Sequence, residues 1–335
     1  MLLREIRAQP QVLERFRELE GGRARAIGVR LAAADPVGVL IAARGSSDHA
    51  AVYAKYLFGA RLRVPVALAA PSLFTRYASP PRLDRWVVLA ISQSGASPDV
   101  VEVVEAAAAQ GCATLGLTDR EDSPLASAAH EVLSLRVGGE RSIAATGSFT
   151  ATLFALAHLA SGWAGRDDAA TLAGVPELAV QALAGEEATS RCAESLAAAA
   201  VCAVVGRGYS FPVALEWSLK LKEIAQVFAE PFSAADYRHG PIALAGTESP
   251  VLLIDPAGPG RSDLALLARD LRDLGSRVVH AADDPAAELP LPPAEEWLAP
   301  IPAAIVGQML AHRLALARGR DPDRPPGLSK VTRTL

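Results

Sequence analysis

The chain has 335 residues, half of them hydrophobic and 21% charged, with a formal net charge of −4. That composition excludes wholesale disorder, and the length suggests two domains, each able to bury a core. No basic excess marks a nucleic-acid or anionic-membrane binder. The longest clean apolar stretch, Leu196 to Val205, is far short of the roughly 20 residues of a membrane helix.

The first residues, MLLREIRAQPQVLERF, are charged and amphipathic and lack the apolar core of a signal peptide. They predict an N-terminal helix over 1–27 leading into a first domain at 28–165. A cytoplasmic location is expected. Three well-spaced cysteines, Cys112, Cys192 and Cys202, argue against a disulfide framework and against a Cys/His metal site.

Within the first domain, the apolar runs Val37–Ala43, Trp86–Ile91 and Ala113–Leu117 show no period-2 alternation, as expected of parallel strands buried on both faces. The pattern then repeats. VGVLIAARGSS at 37–47 corresponds to AVCAVVGRGYS at 200–210, with Gly45 and Gly208 separated by 163 positions. Trp86 matches Pro250, Gly111 matches Gly275 and Asp119 matches Asp283, each 164 positions apart. Such a constant separation indicates internal duplication. Alternating strand and helix in each copy predicts an α/β fold with two doubly wound parallel sheets flanked by helices. A linking helix is expected over 166–195, a second domain over 196–320 and a tail over 321–335. The tail is rich in proline and charge, which by itself permits disorder.

Three segments carry chemistry. In ISQSGASPD, a buried strand ends at Ile91 and is followed by Ser92, Gln93, Ser94 and Gly95, with Ser97 as a natural N-cap and Pro98 as the first helical residue. Outward-pointing amides and several hydroxyls make such a turn a cradle for a phosphate dianion. The first loop, Arg44-Gly45-Ser46-Ser47-Asp48, adds two more hydroxyls. A dinucleotide fingerprint is absent, since the second and third glycines and the later acidic residue are missing, so the phosphate belongs to a small metabolite. In ALEWSLKLKEIAQVFAE, Glu216, Lys220 and Glu223 fall on one helix face. That spacing is the usual mark of a solvated ion-pair ladder. On a helix that follows a core strand–helix loop, one of these carboxylates can equally act as a general base. Finally, His239 precedes Gly240-Pro241, which fixes a turn beside a side chain that titrates near neutrality.

Together these motifs resemble the sugar isomerase (SIS) family with two domains in tandem. The likeness includes the isomerase half of glucosamine-6-phosphate synthase and stand-alone sugar-phosphate deaminases and deglycases. It runs from EIRAQP through SQSGASPD, SIAATGSFT, GRGYSFPVALEWSLKLKEI and RHGPIAL to LSKVTRTL. The resemblance implies that Ser46, Ser47, Ser92, Gln93, Ser94, Ser97 and Thr146 bind a phosphorylated amino sugar. It implies that Glu223 moves a proton between C1 and C2, that Glu216 and Lys220 shape the site, and that His239 from a neighbouring subunit assists ring opening. Lys330 would reach the sugar from the tail, which makes the tail functional. A homodimer with a shared site follows, with no cofactor or metal.

No glutaminase domain precedes the first strand, so ammonia release from glucosamine 6-phosphate is the expected direction. A fructosamine-6-phosphate deglycase and a non-catalytic sugar-phosphate sensor are the alternatives. The sequence departs from the synthase pattern at Ala96-Ser97, where synthases have Glu-Thr, and at Ala145-Thr146-Gly147, where they have Ser-Thr-Lys. Arg44 stands in place of a small or cysteine residue. The Ser97-Pro98-Asp99 run resembles the deaminase branch.

Overall fold

The computed structural model describes residues 1–246 and 249–330. They form two compact units. One holds 11–140 and 147–174 with Ser329 and Lys330; the other holds 1–10, 141–146 and 175–328. The last residues of the expected tail, Val331–Leu335, lie outside the described residues.

The first unit contains a sheet of β1 (Gly38–Ala43), β2 (Val66–Leu68), β3 (Trp86–Ile91), β4 (Ala113–Thr118) and β5 (Glu131–Ser134). All its pairings are parallel, in the order β2-β1-β3-β4-β5. β1 is buried along its whole length and β3 from its second residue, as the apolar runs require. The helix Gly147–Trp163, apolar on almost every side, is buried from Gly147 to Ser161. A core of Leu40, Ala42, Val88, Ala90, Val100 and Val104 packs on one face of the sheet.

The second unit contains β6 (Val201–Gly206), β7 (Phe228–Ser233), β8 (Val251–Asp255), β9 (Val278–Ala282) and β10 (Leu289–Pro290). Read from the other edge, its order is β7-β6-β8-β9-β10, the same sequence of positions as in the first sheet. The duplication seen in the sequence is therefore a duplication of topology. In each sheet the chain turns to opposite sides of its first strand, so the loops leaving β1 and β3, and those leaving β6 and β8, diverge at the carboxyl edge. Ligand crevices of open α/β sheets form at such places.

Three expected helices differ. The segment expected as one helix over 1–27 is divided into Leu2–Arg7, Gln9–Leu19 and Gly21–Ala33. Pro10 supplies no amide to continue the first, and the third starts on the Gly21-Gly22 pair. The connector expected as one helix is Ala169–Ala173, Val175–Ala184 and Glu186–Leu196, divided at Gly174 and Gly185. The helix read through 214–230 ends earlier. Phe211–Lys220 is α-helical, Leu221–Ala225 is a single π turn, and Gln226 has a left-handed backbone with φ 54°. Val227 therefore leaves the helix face, and Phe228–Ser233 becomes β7, paired along its length with β6.

Candidate active site

In the first unit, Ala43 pairs with Ile91 at the ends of β1 and β3, so the two serine loops leave adjacent strands side by side. Gly45 has φ 56° and ψ −131°, a conformation that only glycine adopts without strain. It turns the chain directly into the helix Ser46–Leu62, whose first amides carry Ser46 and Ser47. On the second loop, Ser97 is the N-cap of Pro98–Ala109 with proline at the first turn. Its hydroxyl makes no capping bond; it lies 3.3 Å from the Ser92 hydroxyl. The Ser94 hydroxyl accepts the Ala96 amide at 3.3 Å. The Gln93 carbonyl accepts the Thr118 hydroxyl at 3.2 Å and the Asp119 amide at 3.1 Å, which pins the loop to the end of β4. Gly95, with φ 61°, presses against Ser123: a β-carbon there would sit 2.0 Å from the Ser123 hydroxyl.

Lys330 belongs to this unit too. Its ammonium lies 2.9 Å from Glu140 Oε2, and Glu140 is buried. Glu140 also accepts the Ser148 hydroxyl at 2.8 Å and the Ser148 amide at 3.3 Å. A carboxylate is thus set against the first turn of Gly147–Trp163, where the helix dipole favours it, with Lys330 as counter-ion. Sequence reasoning missed Glu140, because 190 positions separate it from Lys330.

The second unit carries Thr146, Glu216, Lys220, Glu223 and His239. The Lys220 ammonium is buried and lies 2.6 Å from Glu223 Oε2 and 3.4 Å from Glu216 Oε1. Glu216 is fully buried, whereas Glu223 keeps 21% of its side chain exposed. The three residues expected to share a face do so, and the ladder is internal rather than solvated. Glu223 sits on the π turn, a geometry frequent at functional sites. Its Oε1 stays outside the ion pair and has no hydrogen-bond partner among the described residues, which leaves one carboxylate oxygen for proton transfer.

Glu223 was expected on the helix that follows the loop after β6, and it lies on the π turn that ends that helix. Phe211–Lys220 runs back along the sheet by about 15 Å, and Glu223 lies five residues before the start of β7, at the amino edge of the strands. His239 follows β7 and the short helix Ala234–Arg238, at the carboxyl edge, and is exposed. A six-residue strand separates the edges by about 20 Å.

Thr146 is buried, and its carbonyl accepts the Gln308 amide at 3.3 Å. Gln308 in turn receives the Gln9 amide at 2.7 Å. Glu5 accepts the Arg141 and Ser142 amides at 2.8 and 3.1 Å. The EIRAQP motif thus acts by holding the 141–146 segment, a role its sequence alone did not disclose. Among the described residues no cluster of metal-ligating side chains occurs, and no helix is long and apolar enough to cross a membrane.

Twin parallel sheets with a serine-lined loop on one and a carboxylate–ammonium cluster on the other define a sugar-isomerase-type architecture. The chain belongs to the SIS domain family, whose model matches residues 35–162 and 195–311. Over 352 residues it is 34% identical to an isomerising glutamine–fructose-6-phosphate aminotransferase of Gloeobacter violaceus, covering 98% of this chain and 58% of that protein. The chain thus spans little more than half the length of that relative. A glucosamine-6-phosphate deaminase structure from Thermotoga maritima matches 99% of each chain with a TM-score of 0.83 and 25% identity. The C-terminal domain of glucosamine-fructose-6-phosphate aminotransferase from Francisella tularensis shares the fold, with a TM-score of 0.84 and 22% identity over 97% of this chain and 98% of that one.

Proposed function

We propose that the chain is an isomerising deaminase of a hexosamine 6-phosphate, converting glucosamine 6-phosphate and water to fructose 6-phosphate and ammonia. The observation that carries this reading is the Glu216–Lys220–Glu223 cluster, a partly exposed carboxylate anchored by a buried ammonium. Likeness to an isomerising aminotransferase and to a glucosamine-6-phosphate deaminase supports the substrate class.

Ser46, Ser47, Ser92, Gln93, Ser94 and Ser97 take the phosphate, with Thr146 completing the sugar contacts. His239 assists opening of the ring to the aldehyde. Glu223 removes the C2 proton, giving an enolamine, and returns a proton to C1. The product is a C2 imine bearing a C1 hydroxyl. Water adds to that imine carbon and ammonia leaves, which yields the ketose. Lys330 closes on the sugar from the tail, and Lys220 with Glu216 orients the base.

Glu223 and His239 stand at opposite edges of one sheet, which supports a site completed by His239 of a second copy in a homodimer. The decisive assay follows ammonia and fructose 6-phosphate in parallel from glucosamine 6-phosphate. Equal yields are expected, with Glu223→Gln lowering kcat roughly 100- to 10,000-fold. Ammonia without fructose 6-phosphate, or full activity in Glu223→Gln, refutes the scheme.

A further inference from the structure

Arg44 leaves the end of β1 beside the point where Ser92 leaves β3. Its Nε donates to Asp99 Oδ2 at 2.7 Å. The burial of this pair is asymmetric: the Asp99 side chain is 2% exposed and that of Arg44 50%. Asp99 sits in the first turn of Pro98–Ala109, and its other oxygen accepts the Val100 amide at 3.0 Å. Bonding through Nε fixes the guanidinium plane and leaves both Nη groups outside that bond. Among the described residues neither Nη group has a hydrogen-bond partner. Asp48 lies in the first turn of Ser46–Leu62, where burial raises its pKa and the nearby His49 and Arg44 charges oppose that rise.

We infer that Arg44 is a specificity-determining residue whose Nη groups bind the phosphate dianion of the substrate, with buried Asp99 as the residue that positions it. This rests on the phosphate reading of the serine loops proposed above and supplies a charge that reading lacks. Hydroxyls and helix N-terminal amides donate to phosphate oxygens but carry at most a partial positive charge to set against a dianion. A guanidinium is permanently charged, and its planar fork matches two phosphate oxygens at once. Asp99 alone, one turn from the loop, would repel a dianion. Pairing it with Arg44 neutralises it and ties the guanidinium to the first turn of the helix that follows the serine loop.

The second copy carries the same pair in a different setting. Arg207 Nε lies 3.0 Å from Asp263 Oδ2, at the duplicated positions, yet both side chains there are well exposed. The accompanying loop, Pro256-Ala257-Gly258-Pro259, has no hydroxyl, and the Glu296 carboxyl group packs on it: a β-carbon on Gly258 would sit 2.6 Å from the Glu296 carboxyl carbon. Only the first copy combines the ion pair with a hydroxyl-rich loop and a buried aspartate.

The test is calorimetric titration with glucitol 6-phosphate, which has no carbonyl to react, and with inorganic phosphate. The proteins are wild type, Arg44→Ala, Arg44→Gln, Asp99→Asn and the Arg44→Ala/Asp99→Asn double variant, each checked for folding by its melting midpoint. Either Arg44 variant is expected to weaken glucitol 6-phosphate binding roughly 10- to 100-fold, and the double variant to stay as weak as Arg44→Ala. In turnover the same loss appears in KM with kcat nearly unchanged. Recovery of wild-type affinity in the double variant would mean that Arg44 only neutralises Asp99, and would overturn the inference. Unaltered binding by folded Arg44→Gln overturns it as well, with the phosphate reading intact. A folded wild type that binds neither compound refutes the phosphate reading itself, and the role of Arg44 with it.

Discussion

His158 sits within Gly147–Trp163, 3% exposed, edge-on to Phe154 with ring centroids 4.5 Å apart. Burial, aided by the charges of Arg25 and Arg17, lowers its pKa from 6.5 to about 4. In the unfolded chain the ring takes a proton below pH 6.5; in the folded chain it resists until about pH 4. The unfolded state therefore binds more protons across that window, and stability contributed here is present above pH 6.5 and lost as pH falls toward 4. The full loss is on the order of 3 kcal/mol. Urea unfolding of wild type and His158→Leu at pH 7.5, 6 and 5 measures it. The wild type is expected to lose more stability than the variant over this range, and equal slopes would assign the acid sensitivity to other groups.

At the level of elements, the serine loop depends on Gly95, where a positive φ coincides with contact against Ser123. Gly95→Ala forces the loop away from β4 and is expected to cost about 1–3 kcal/mol of stability while weakening sugar-phosphate binding. A thermal-shift titration reads both effects, and an unchanged ligand-induced shift would detach the loop from binding.

The same elements show what a sequence discloses. β1, β3 and β4 were legible because continuous apolar runs need burial on both faces. The edge strands β2 and β10 were not, since three and two residues carry no periodicity. The end of Phe211–Lys220 was hidden because apolar spacing continues through Ile224 and Val227, and only pairing of β7 with the distant β6 overrides it. Glu216, Lys220 and Glu223 were legible as a group because helical spacing is local. The Arg44–Asp99 pair was not, because it exists only once β1 lies beside β3.

For the molecule as a whole, Glu223 and His239 lie at opposite edges of one sheet, and the proposed function therefore has the two residues of one active site come from different subunits. Mixing inactive Glu223→Gln and His239→Ala proteins, under conditions of subunit exchange, is expected to restore about a quarter of wild-type activity in an equal mixture, if subunits pair at random and one site in each hybrid is intact. Continued inactivity with exchange verified by mass would place both residues in a single-chain site.

Internal duplication has left the chain divisible in sequence but not in structure. The unit built on the second sheet borrows residues 1–10 and 141–146 from the other side of the repeat boundary. A break near residue 170 would leave the Glu5 contacts with Arg141 and Ser142 on the fragment that holds the first sheet, and would sever the Gln9–Gln308 bond. Recombination that trades one repeat for another therefore has no clean seam here, and the two copies are bound to be inherited together.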